Sequence, residues 1–92
     1  MDLQDTRHAI LRIAASHGAR NVRMFGSTAR GEDRHDSDLD LLVDMESGRS
    51  LLDLIGLGQE LEDLLHRKVD VLTETSVHPA LRARILAQAR PL

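Results

Sequence analysis

The chain has 92 residues, of which 41% are apolar and 29% charged, with a net charge of −3. That length predicts one domain, residues 1–92, with a modest core. Its negative charge argues against a broad nucleic-acid surface, and a single aromatic residue, Phe25, argues against a platform for stacked bases. No cysteine is present, so disulfides and thiolate metal sites are excluded and a reducing cytoplasm is the expected location.

The amino-terminal stretch MDLQDTRHAILRIA carries an acid early and lacks the apolar run of a signal peptide. No segment approaches the roughly 18 apolar residues of a membrane span. Five histidines are scattered without i, i+4 spacing, which disfavours a histidine zinc site.

In chain order, residues 2–17 have helical spacing. Leu3, Ile10, Ile13 and Ala14 share one side, with Leu11 beside them, and Gly18 stands where a helix C-cap belongs. RNVRMF, 20–25, reads as a short strand with Val22 and Met24 alternating against Arg23 and Phe25. Gly26 and Ser27 break it, STARGE has the composition of one helical turn, and GEDRHDS is a polar loop.

DLDLLVD, 38–44, alternates cleanly. Leu39, Leu41 and Val43 fall on one face, and Asp38, Asp40, Leu42 and Asp44 on the other. After the turn MESGRS, Ser50 caps a helix over 51–66, with Leu51, Leu54, Ile55, Leu61 and Leu65 at helical spacing and Leu57 and Leu64 widening the stripe. Gly56 and Gly58 inside it mark close packing or a bend. KVDVL, 68–72, is a third strand with Asp70 opposite Val69 and Val71. Pro79 opens a final helix over 79–90, with Ala80, Leu81, Ile85 and Leu86 as its apolar side. The pattern predicts an α/β (α+β) fold with a small mixed sheet of about three strands flanked by helices.

The chemistry is suggested by Asp38 and Asp40. At i and i+2 on a strand their side chains leave the same face, about 6.5–7 Å apart. Two carboxylates aimed at one volume repel unless a cation joins them, and Mg²⁺ prefers one or two carboxylates plus substrate phosphates. If the third strand pairs beside 38–44, Asp70 joins them and completes the set for two-metal phosphoryl displacement. A lone D-x-D is ordinarily a solvated strand end, and a lone Gly-Ser a turn. Their combination, Gly26-Ser27 and then D-x-D opening a core strand, is more specific, because backbone amides at a glycine turn favour phosphate. Asp44 shares the face but lies about 13 Å from Asp40 by strand rise. Glu32, Asp33 and Asp36 are weaker candidates for the site, and His35 reads as a solvated loop histidine.

The stretch GSTARGEDRHDSDLDLLVD resembles the signature of the nucleotidyltransferase superfamily that includes DNA polymerase β. Its ARG after GS, and SD before LDLLVD, resemble more narrowly the minimal nucleotidyltransferases of bacteria and archaea. The resemblance implies the nucleotidyltransferase fold, with Gly26 and Ser27 on the β- and γ-phosphates of a nucleoside triphosphate. It also implies Asp38, Asp40 and Asp70 as ligands of two Mg²⁺ ions, Asp70 doubling as base. Arg30 matches the family's ARG, as a phosphate contact or a solvated turn arginine.

The implied reaction moves a nucleoside monophosphate, AMP from ATP, to a hydroxyl and releases pyrophosphate. The domain is small, so the acceptor is expected on another protein. The resemblance points to a HEPN-type helical toxin, with this chain as its antitoxin. Two other readings stand beside it: a non-catalytic module that masks a helical partner, and a small-molecule nucleotidyltransferase of the aminoglycoside-modifying kind, which ordinarily carries acceptor-binding structure missing here. The small core also leaves room for a homodimer.

Overall fold

A computed structural model describes residues 3–26 and 38–92. Helix α1 (Leu3–Ser16) buries Ile10 and Ala14, with Leu11 and Ile13 at the margin. It ends as its sequence predicts: Gly18 takes φ +77° and its N–H donates to the Ala15 carbonyl. That conformation, which costs an L-residue roughly 1–2 kcal/mol, turns the chain directly into strand β1 (Ala19–Phe25).

Strand β1 begins one residue earlier than expected and contains a bulge. Arg20 faces Asp44 and Arg23 faces Leu42, so three steps on β1 match two on β2 (Leu39–Met45). The extra residue is accommodated at Asn21, whose φ of +52° suits a residue type that tolerates the left-handed region. The bulge resets the parity of the strand. Ala19 and Val22 both enter the core and Met24 packs against it, while Arg23 and Phe25 turn to the opposite face.

Helix α2 (Leu51–Leu65) follows β2. Its first turn is tied by the Ser50 N–H donating to the Asp53 carboxylate at 3.0 Å, and its last residue gives way to His66 at φ +55°. It carries the chain back so that β3 (Val69–Leu72) lies parallel to β2. A 3-10 turn (Glu74–Ser76) leads to α3 (Pro79–Gln88), where Pro79 opens the helix and the His78 ring accepts from the Ala80 N–H. The chain closes with β4 (Arg90–Pro91), antiparallel to β1, and the Leu92 N–H donates to the Val22 carbonyl. The sheet order is β3-β2-β1-β4.

Three expectations are corrected. The sheet has a fourth strand, because the last residues leave the predicted helix and seal the free edge of β1. The buried arc of α2 is centred on Leu57 and Leu61, both fully buried, whereas Leu51 and Ile55 are exposed (69% and 47%). Finally, α3 buries none of its residues, and Leu81 and Leu86 remain exposed. The one-turn helix expected over STARGE and the polar loop after it lie at residues 27–37, outside the described residues.

Ile10, Ala14, Leu57 and Leu61 pack on one face of the sheet against Val22, Leu39, Leu41, Val43 and Val69. Of the two glycines of α2, Gly56 marks a close approach and Gly58 an ordinary contact. A β-carbon at Gly56 would stand 3.2 Å from the His17 ring, and one at Gly58 would touch the Val69 carbonyl at 3.7 Å. The outward N–H of Val69 donates to Glu62 of α2 at 3.3 Å. On the opposite face Phe25, Leu42 and Val77 are buried apart from this core. That second face carries the acids.

Candidate active site

Strand pairing settles which side chains meet. Asp40 and Asp70 are direct partners in the parallel β2–β3 ladder, as are Leu42 and Leu72. Direct partners project from the same face, and neighbouring strands lie about 4.8 Å apart. The third acid therefore rises beside Asp40. Had the register slipped by one residue, Asp70 would have entered the core and Val69 or Val71 would have taken its place. The core requirement for Val69 and the aim of Asp70 are one constraint.

Asp38 immediately precedes β2 and is exposed. Its charge reaches Asp40. Burial comes first in raising the Asp40 pKa above its ordinary value, followed by the charges of Asp70 and Asp38, while Lys68 pulls it back. Asp40 thus experiences three-carboxylate crowding with incomplete compensation from protein cations. On its other side lies β1, with Phe25 its direct partner. Gly26 follows at φ +72°, and a β-carbon there would stand 2.6 Å from Asp40 Oδ2. The turn after β1 accordingly comes down onto the carboxylate, and glycine is the residue that permits it. Ser27 and Arg30, predicted with Gly26 to bind phosphate, lie outside the described residues.

Farther along the same face, Asp44 is engaged elsewhere. Arg23 donates to it at 2.9 Å and Asn21 at 3.0 Å, and Arg23 also reaches Glu74 at 3.5 Å. The arginine side chain is 12% exposed. It fastens β1 to β2 and to the turn that follows β3, so the acid-bearing strands are held from one end. Alternation alone does not disclose this contact, because Glu74 reaches Arg23 only once β3 is in place.

Asp40 and Asp70 line a groove of about 590 Å³ with Phe25, Leu72 and Ser76. The groove continues along Val71 to Leu51, Leu54 and Ile55 at the start of α2. Among the described residues no three His, Asp or Glu side chains form a ready metal-binding group. The donors present are all carboxylate oxygens, and Asp40 is half-buried among like charges. Such a set fits a hard divalent cation that takes one or two carboxylates and completes its shell with substrate phosphates. A glycine turn beside two strand-borne acids suits chemistry on a phosphate-bearing substrate.

The chain belongs to the nucleotidyltransferase family: the nucleotidyltransferase domain model matches residues 9–92. A candidate protein adenylyltransferase of Methanocaldococcus jannaschii is 45% identical over 89 residues, covering 97% of this chain and 96% of the relative. A solved candidate minimal nucleotidyltransferase superposes with a TM-score of 0.84 at 52% identity, covering 100% of this chain and 97% of that one. A more distant structure shares the fold, with a TM-score of 0.72 at 19% identity and coverage of 96% and 69%. It contains a tri-AMPylated Shewanella oneidensis HEPN toxin in complex with an MNT antitoxin. The mixed α/β fold and the nucleotidyltransferase activity expected from the sequence therefore hold. Among the described residues, no helix is long and apolar enough to cross a membrane.

Proposed function

We propose that this protein transfers AMP from ATP to a hydroxyl of a partner protein, as the cytoplasmic antitoxin of a toxin–antitoxin pair whose other member is a helical HEPN-type protein. The observation that carries the reading is the Asp40–Asp70 register, which gives one face of the sheet a carboxylate pair beside the Gly26 turn. The name of the M. jannaschii relative supports protein as acceptor, and the AMPylated HEPN complex supports AMP as the group transferred.

In this reading Gly26, Ser27 and Arg30 bind the terminal phosphates. Asp38, Asp40 and Asp70 hold two Mg²⁺ ions, which when bound neutralise phosphate charge and lower the barrier to in-line displacement. Asp70, at the edge strand, accepts the proton of the incoming hydroxyl. Leu39, Leu41 and Val43 anchor β2 from beneath, so the acids above them are fixed before substrate arrives. The cost of assembling like charges is then met during folding and not at the moment of reaction.

The test mixes the purified protein with labelled ATP, Mg²⁺ and the product of the neighbouring gene, and repeats the reaction with Asp38→Asn/Asp40→Asn. Label on the partner with wild type, reduced at least about 10²-fold in the variant, supports the enzyme. A second reading, masking of the partner by binding alone, is favoured by the apolar surface at Leu51 and Leu52, which are 69% and 77% exposed. Partner binding without labelling, unchanged in the variant, would establish that reading instead.

A further inference from the structure

Lys68 stands immediately before β3, and its carbonyl accepts the Leu39 N–H at 2.9 Å. The parallel ladder that pairs Leu39 with Val69 and Asp40 with Asp70 thus reaches back to Lys68. Val69 belongs to the core, so alternation sets Lys68 and Asp70 on the opposite face. On that face Lys68 flanks Asp38 as Asp70 flanks Asp40, and its charge acts on Asp40.

Of the other described cations on this sheet face, Arg23 is committed to Asp44 and Glu74, and Arg20 stands opposite Asp44, at the far end of β2 from Asp38 and Asp40. Lys68 is exposed and has no ion-pair partner among the described residues. Nothing in the fold requires a lysine there: its backbone carbonyl would serve the ladder equally well under another side chain. An ammonium group whose charge reaches Asp40, yet which is closed onto no described carboxylate, is available to a ligand.

Its position across the sheet says which part of a ligand. Gly26 lies on the β1 side of Asp40 and Lys68 on the β3 side, with Asp38 and Asp40 between them. This inference rests on the proposed reading, in which the Gly26 turn holds the terminal phosphates. The opposite side of the acids then faces the phosphoryl group that is transferred and the hydroxyl that attacks it.

We propose that Lys68 contacts a non-bridging oxygen of the α-phosphate and stabilises the charge that develops there during transfer. The acceptor hydroxyl oxygen bonds to the α-phosphorus, and its proton passes to Asp70. The bond from that phosphorus to the oxygen bridging to the β-phosphate breaks, and pyrophosphate leaves with the electron pair. Lys68 stays protonated throughout. A compact ammonium on a flexible stem can follow the oxygen as the phosphorus inverts.

The experiment compares Lys68→Met, Lys68→Arg and Asp38→Asn/Asp40→Asn in the full chain, with labelled ATP, Mg²⁺ and the neighbouring-gene protein as acceptor. Binding of a non-hydrolysable ATP analogue is measured separately. Expected for Lys68→Met is a fall in kcat of about 10²-fold with analogue affinity changed less than about 3-fold, and partial recovery in Lys68→Arg. Lys68→Met remains folded, with at most a small fall in melting temperature from the lost charge beside Asp40. Transfer by Lys68→Met within about 3-fold of wild type, alongside a dead aspartate variant, overturns the proposal and leaves the active site standing. A loss of analogue affinity as large as the loss of transfer overturns it too, by assigning Lys68 to ground-state binding. Full transfer by the aspartate variant overturns the underlying reading of the site.

Discussion

Gly26 joins two requirements in one residue. Its φ of +72° is a conformation that L-residues avoid, and the space where a side chain would begin belongs to Asp40 Oδ2. Gly26→Ala therefore strains the backbone by about 1–2 kcal/mol and also pushes the carboxylate aside. Urea unfolding should show that loss, and partner labelling should fall further than the loss of folded protein explains. Asp40 supplies a pH signature. An acid whose pKa is raised on folding stabilises the fold below the ordinary carboxylate range, and that contribution is lost as pH rises through the raised value. Asp40→Asn removes the cost of ionising the site. The variant should melt above wild type at pH 7, and the difference should close as pH falls into the ordinary carboxylate range. The sequence discloses Gly26 as a turn and Asp40 as an acid on a face. Their contact is invisible there, because it depends on where β1 ends relative to β2.

Among the elements, β2 is read directly from its letters. Leu39, Leu41 and Val43 enter the core as alternation requires, and the acids leave the other side. Period two over an uninterrupted run leaves little else for the strand to do. Strand β1 is harder, because the bulge at Asn21 shifts its parity and no residue there announces an insertion. Helix α2 is legible as a helix and illegible as a surface. Leucine or isoleucine occurs around most of its circumference, so its buried arc is decided by the crossover that sets the helix on the sheet. Leu57 and Leu61 won that position and Leu51 did not. Leu57→Ala should cost about 2–5 kcal/mol in denaturant unfolding, the range for a fully enclosed leucine. The two-residue strand β4 has no pattern of its own; it exists because β1 offers an unpaired edge.

For the whole molecule, pairing order is the decisive information. Asp40 and Asp70 are brought together by a right register between strands separated by a complete helix, and composition cannot supply that register. The resemblance to nucleotidyltransferases anticipated the outcome, while the physical reason for it is the Val69 core contact. The molecule also presents Leu51 and Leu52 at the head of α2, and Leu51 lines the groove that holds Asp40 and Asp70. Changing Leu52, 77% exposed, to Lys should alter stability by no more than about 0.5 kcal/mol. If the partner approaches along this end of the groove, the variant should label it less efficiently while binding the ATP analogue as wild type does. Calorimetric titration of the analogue and a labelling time course separate the two effects.

The hydrogen bond from Val69 to Glu62 bears on how the protein behaves in a crowd. Strand β3 is the outermost strand on its side of the sheet, and an outermost strand invites a foreign chain to zip alongside it. One of its outward donors is already occupied by a carboxylate from the helix overhead, a group that offers no ladder to continue and repels acidic newcomers. A strand added at the border beside Asp70 would have to displace Glu62 from the Val69 N–H before it could pair there.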